Sequence, residues 1–205
     1  MSYTKVKLYN LALSALLLAK EITNVDTDTS NEVRVLNMHW DTALESTLQD
    51  LDLDSLMTPI TLELIEELDA GPWRYVYKYP TNCLFLRRIK SCVETDNKST
   101  HISKKVHMYE GVKAVFTNEY EAVAECMPKD IPLAALNAMA GMCVAYKHAM
   151  LSAPLIVGKG SERLKASLKL EYLIAKGEAQ ETDAAENFNY ESDDLRSEFV
   201  SARLE

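Results

Sequence analysis

Apolar residues recur at helical spacing from the start of the chain. Val6, Leu8, Leu11, Leu16 and Leu18 lie among Lys5, Lys7, Asn10 and Ser14, a pattern that predicts an amphipathic helix over 4–20. Asn10 and Ser14 interrupt its apolar centre, so it reads as a helix and not as a secretion signal. The polar run NVDTDTSNE then ends in Thr29-x-x-Glu32, the pattern of a capping box, in which hydroxyl and carboxylate satisfy free amides at a helix start. A second helix is expected to follow, with Val33, Leu36, Trp40, Leu44 and Leu48 inward and Arg34, Asn37, Asp41 and Glu45 facing water. On that spacing Trp40 is a core anchor.

Beyond Pro59 and an acidic segment the period changes from helical to alternating. Trp73, Tyr75, Tyr77 and Tyr79 fall on one side of a predicted strand, and Arg74, Val76 and Lys78 on the other. Pro80 cannot donate to a ladder and should end the strand, and Thr81-Asn82 can turn the chain into a second run, CLFLRRI. In HISKKVHMYEGVKAVF, Glu110-Gly111 marks a tight turn between two further strands. These signals predict a small antiparallel sheet at about 72–117.

Two more helices are expected. Asp130 suits an N-cap and Pro132 a first turn, ahead of an Ala-rich segment with Leu133, Leu136, Ala140, Cys143 and Val144 along one face; its small residues permit close packing. After the breaker APLIVGKG, a helix over about 161–186 carries Leu164, Leu168, Tyr172 and Ala175 inward. The expected fold is therefore mainly α: a four-helix bundle with a small antiparallel β subdomain inserted between helices two and three. An extended C-terminal tail, 188–205, follows the 1–187 domain.

Charge changes this picture locally. The formal net charge is −9, and residues 178–205 hold nine Asp or Glu against two Arg. A second acidic block carries Asp50, Asp52, Asp54, Glu63, Glu66, Glu67 and Asp69 with no base among them. Such surfaces repel phosphate within a Debye length of about 8 Å, which disfavours wrapping around nucleic acid. No apolar run approaches the roughly 18–20 residues that span a bilayer, so no membrane partner is expected. The tail differs from a pure solvating segment, because Phe188, Tyr190, Leu195, Phe199, Val200 and Leu204 stud its acids.

Signals for catalysis are sparse. LIVGKGSER fails as a phosphate-cradling loop, since Ala153 stands where the first Gly is needed and Gly160 where a Ser or Thr must follow Lys159. Cys83, Cys92, Cys126 and Cys143 form no CxxC pair, which fits a reducing cytoplasm. The four histidines have no partner at i+3 or i+4 and read as surface residues, so neither metal nor cofactor is expected. No GxSxG surrounds a serine. Strand 73–88 offers aromatics and bases that in principle stack on and pair with single-stranded nucleic acid, but alternation places the rings on the face a one-sided sheet buries.

The segment WRYVYKYPTNCLFLRRI resembles the signature of tailed-phage head-to-tail connector (adaptor) proteins, the podoviral tail tubular protein A-like family. Trp73, Tyr75, Tyr77, Pro80, Cys83, Leu84 and Arg87 match that signature and Tyr120 a later tyrosine, within an element order that runs from residue 5 to 187. Thr81-Asn82 stands where many relatives carry an acid. The resemblance implies a structural virion protein at the capsid–tail junction, synthesised in the host cytoplasm and without enzymatic activity. Its implied partners are the portal protein, neighbouring subunits in a homo-oligomeric ring (usually a dodecamer), a downstream tail protein, and double-stranded DNA passing through the lumen. On that reading the tail docks on the portal, and the acids of 50–69 are candidates to line the channel, where fixed positive charge would hold phosphates. The competing expectation is a helical enzyme or a nucleic-acid-binding module using strand 73–88.

Overall fold

The computed structural model describes residues 2–91 and 102–186. Among these residues, four helices, α1 (Lys5–Ala15), α2 (Asn31–Leu51), α3 (Ala138–Ile156) and α4 (Ser161–Glu186), flank seven strands. The strands are β1 (Thr58–Thr61), β2 (Leu64–Glu67), β3 (Tyr75–Lys78), β4 (Cys83–Lys90), β5 (Lys104–Tyr109), β6 (Val112–Thr117) and β7 (Val123–Pro128). They form two antiparallel sheets, ordered β1-β7-β4 and β2-β3-β6-β5. The expectation of a mainly α four-helix bundle with a small insertion at 72–117 is thus overturned. Sheet structure runs from Thr58 to Pro128 and makes up two of the protein's three layers.

The missed strands have short or mixed patterns. β1 reads TPIT and β2 reads LIEE, each four residues and mostly exposed, so neither shows the alternation that flags a half-buried strand. Their pairing is also non-local, as Thr58 lies opposite Cys126. The aromatic segment does not fold back on itself. β3 pairs with β2 and β6, whereas β4 pairs with β7 in the other sheet. The Glu110-Gly111 hairpin forms as its sequence suggests: φ is 47° and 83° at the two residues, the primed turn that matches strand twist.

Alternation along β7 explains the layering. Ala124 and Cys126 face the four-stranded sheet, in a core with Tyr75, Tyr77, Tyr79, Ile89 and Val115. Met127 faces the helices, in a core with Leu48, Leu51, Val144 and Tyr172, against which Leu84 and Phe85 of β4 also pack. A third core of Tyr9, Leu13, Leu36, Ala149 and Leu168 lies wholly among helices. Trp40, half-buried, packs against both helical cores.

Helix boundaries depart from expectation for identifiable reasons. α1 stops at Ala15 because Leu17 adopts a left-handed φ of 61° and Leu18 N–H reaches back to the Leu13 carbonyl. Asn10, which interrupts the apolar stripe, bonds both N–H and C=O of Ile22 (2.8 and 2.9 Å) and so holds the returning loop. The capping box does not form: Ser30 is the N-cap of α2, and Glu32 instead pairs with Lys20. α3 begins only at Ala138, where Asn137 caps the Ala140 N–H at 2.8 Å, because Leu133–Ala135 forms a separate 3₁₀ turn. It then continues through Pro154. Gly141 on α3 is covered by the Tyr3 ring, so close that a Cβ would lie 2.2 Å from Tyr3 Cε2.

Candidate assembly surfaces

The structure distributes the signature segment over a joint between layers. Tyr75, Tyr77 and Tyr79 are 7%, 1% and 9% exposed, which leaves no ring face on which a base could stack. The Tyr77 hydroxyl donates to the Glu119 carbonyl at 3.0 Å, and the Tyr75 ring sits 5.7 Å from that of exposed Tyr120. Trp73 precedes the strand and is only half-buried, Pro80 follows it, and Leu84 turns toward the helices. Arg87 then does the joining. Its Nε lies 2.9 Å from Asp52 Oδ1, Nη2 donates to the Asp52 carbonyl at 2.5 Å, and Nη1 pairs with Asp54. A guanidinium at the C-terminus of α2 also answers the helix's negative end.

The seven candidate channel acids therefore do not form one array. Asp52 and Asp54 are held by Arg87, and Asp50 is 3.0 Å from Lys147 and accepts from the Tyr172 hydroxyl at 2.9 Å. Burial raises the Asp50 carboxyl, but these two donors outweigh it and leave its pKa below the ordinary value. Glu63, Glu66, Glu67 and Asp69 lie apart, on and around edge strand β2, all exposed. Glu63 pairs with Lys78 at 3.4 Å and Glu66 accepts from the Tyr109 hydroxyl. Carboxylates along a sheet edge discourage unwanted strand pairing, which is a sufficient reason for that second group. The tail residues Phe188, Tyr190, Leu195, Phe199, Val200 and Leu204 lie outside the described residues.

Other polar groups meet where sequence spacing offers no signal. Cys83 and Cys126, 43 positions apart, share the core between the sheets, with Cys83 Sγ 3.4 Å from the Tyr79 hydroxyl. Hydrogen bonding to the Cys126 thiol and to Tyr79, with Lys113 and Lys104 nearby, lowers the Cys83 pKa against the opposing effect of burial. Lys104 is itself half-buried and donates to the Leu86 carbonyl at 2.5 Å and to the Arg87 carbonyl, tying β5 to β4 across the layers. Glu125 takes Arg88 and Lys90 together. The surface reading of the histidines fails at His148. Its ring is fully buried between Tyr9 and Trp40, its Nε2 donates to the Leu36 carbonyl at 2.8 Å, and burial pushes its pKa down to about 4. Among the described residues, no cluster of three or more His, Cys, Asp or Glu could hold a metal ion, and no helix is long and apolar enough to cross a membrane.

No protein-family model matches the chain, and no curated protein matches it. Among the described residues the surface carries two unlike apolar patches. On α4, Leu170, Leu173 and Ile174 are exposed at i, i+3 and i+4. On the four-stranded sheet, Val106 and Met108 are exposed two positions apart on one face of edge strand β5. Apolar patches of this kind mark association surfaces more often than they do idle solvent contact.

Proposed function

We propose that this chain is a head-to-tail connector subunit of a tailed phage, forming a ring beneath the portal that joins capsid to tail and surrounds the exiting DNA. Two unlike apolar patches on one subunit, Leu170, Leu173 and Ile174 on α4 and Val106 and Met108 on β5, carry this reading. A ring is closed by heterologous, head-to-tail contacts, and such contacts need two different complementary patches, whereas a symmetric dimer needs one self-complementary patch. The signature segment fits the same role. Its tyrosines are buried and its arginine fastens sheet to helix, so it builds a rigid subunit and does not present a reactive surface. The paired state of Asp50, Asp52 and Asp54 leaves the exposed acids around β2 as the better candidates to face DNA in the lumen.

Electron microscopy of purified portal rings incubated with the chain tests the proposal. An added collar is expected. Met108→Glu on the sheet face and Leu170→Glu on α4 should each abolish it, while an equimolar mixture of the two variants should stop at dimers, because only one intact interface remains. Absence of a collar from the unaltered chain would remove the connector reading. Salt-dependent binding of free DNA at physiological ionic strength would favour the nucleic-acid module instead.

A further inference from the structure

A groove of about 680 Å³ runs between α3 and α4. Met150, Leu151 and Pro154 of α3 and Leu173 of α4 supply its apolar lining. Its charge is opposite to that of the protein as a whole. Lys147, Lys165, Lys169 and Lys176 line it against only Asp50 and Glu162, on a chain of net charge −9. Lys147 and Lys165 are taken up by those two acids at 3.0 Å each. Lys169 and Lys176 have no carboxylate within ion-pair distance among the described residues. An apolar floor rimmed by four lysines against two acids fits a segment that is both acidic and apolar.

We propose that the groove is the docking site of the chain's own residues 187–205. That segment holds Glu191, Asp193, Asp194, Glu198 and Glu205 against Arg196 and Arg203, with Phe188, Tyr190, Leu195, Phe199, Val200 and Leu204 among them. Its composition mirrors the groove in both charge and hydrophobicity. Its attachment point also suits a return along α4. Glu186, the last described residue of the helix, lies ten residues beyond Lys176, about 15 Å at the helical rise, and the far end of the groove at Glu162 lies about 36 Å from Glu186. The 19 residues that follow can extend over about 63–68 Å, so a reversal after Glu186 reaches the whole groove with chain to spare. The helix end from which the segment departs is fixed: Asp183 accepts from the amides of Asp54 and Ser55 at 2.6 and 3.1 Å, and Gln180 donates to the Leu51 carbonyl at 2.8 Å. Docked there, the tail covers Leu173, and any partner that binds the tail must first compete it out of the groove. This proposal does not depend on the connector reading.

Photo-crosslinking of the full chain, with p-benzoylphenylalanine replacing Phe199, tests it without any partner present. Irradiation of dilute monomer should give intramolecular adducts mapping to Met150, Leu151 or Leu173. The triple variant Lys165→Glu, Lys169→Glu, Lys176→Glu should lower that yield at least tenfold. So should Asp193→Lys with Asp194→Lys, which leaves every residue of the folded core unchanged, and combining both sets should restore the adducts. Crosslinked dimers joined at the groove would assign it to a second copy and overturn the proposal. Adducts elsewhere, or a yield indifferent to the charge changes, would overturn it equally. Because the readout needs no portal, its failure is separate from a failure of ring assembly.

Discussion

The helical layer and the two sheets hold their backbones in place in different ways. Within the helices backbone hydrogen bonds are local, and the deep positions between them are mostly aliphatic or small, among them Leu8, Leu13, Leu36, Leu48, Ala145 and Ala149, while Tyr9, Tyr172 and His148 bond across to Asn37, Asp50 and the Leu36 carbonyl. Between the sheets, by contrast, the backbone ladder joins segments far apart in sequence, as β1 and β4 do with β7, and polar groups add ties to it. Tyr77 reaches the Glu119 carbonyl, Tyr79 meets Cys83, and Lys104 reaches the Leu86 and Arg87 carbonyls. The difference follows from element length. β1, β2 and β3 have four residues each, too few ladder bonds to hold register unaided, so polar cross-ties fix which residues face which. A helix of 19 or 26 residues, such as α3 or α4, makes its own ladder, and cross-ties such as Tyr172 to Asp50 set only how it sits on its neighbours.

The largest expected effect strikes the sheet side of this contrast. Tyr77→Ala should destabilise the protein by about 3–5 kcal/mol, the usual range for emptying a fully buried aromatic site. Tyr77→Phe keeps the ring and removes the bond to Glu119, and should cost about 1–2 kcal/mol by stranding a partly buried carbonyl. Urea denaturation midpoints measure both. If Tyr77→Phe is as stable as the unaltered chain, the polar tips are incidental and the contrast between layers collapses.

His148 sharpens the comparison from the helical side, where its ring is fully buried beside Tyr9 and Trp40. Burial is the main cause of its lowered pKa, with His39 and Lys5 adding unfavourable charge and the Leu36 carbonyl opposing. A folded pKa of about 4 against an unfolded value of 6.5 means that the unfolded chain binds the proton first. Its contribution is fully present above pH 6.5 and is lost as pH falls toward 4, by about 3 kcal/mol at the low end. Glu125 and Asp50, also held below their ordinary values, lose their contributions only at lower pH. Stability measured between pH 6.5 and 5 should therefore fall in the unaltered chain and stay nearly flat in His148→Gln. Equal slopes in the two proteins would show that the imidazole is not held neutral by the helices.

The same contrast governs how much the sequence reveals. α4 spans Ser161–Glu186 as its periodicity predicts, because Leu168, Tyr172, Ala175 and Ala179 repeat over about three turns and one face is enough to define a helix. The Glu110-Gly111 turn is equally legible, since its chemistry is contained in two residues. β2 is not: its carboxylates look like a solvated run until β3 lies beside it. The pairing of β4 with β7 has no local cause and depends on the chain's closing a loop of some 40 residues. Of the candidate site, Arg87 stands out in sequence as one of two arginines closing an apolar run, but nothing local names Asp52 and Asp54 as its partners. The lysines of the α3–α4 groove are scattered from 147 to 176 and become a cluster only when the two helices pack.

The smallest expected effect tests whether local backbone geometry governs the helical layer, and its sign is opposite to the others. Leu17 closes α1 in a left-handed conformation at φ 61° and its side chain is 83% exposed, so it occupies a glycine-type cap with little packing in return. A side chain in that region costs roughly 1–2 kcal/mol in backbone strain, and glycine removes that cost while giving back part of it as unfolded-chain entropy. Leu17→Gly should therefore stabilise the protein by about 0.5–1 kcal/mol, raising the melting temperature by a few degrees at most. Leu17→Ala, which keeps the Cβ and loses the rest, should leave stability within about 0.5 kcal/mol of the parent. A loss in both variants would mean that the leucine side chain makes a contact in solution, so that packing and not the turn ends α1; gain in glycine alone places the stop in the backbone.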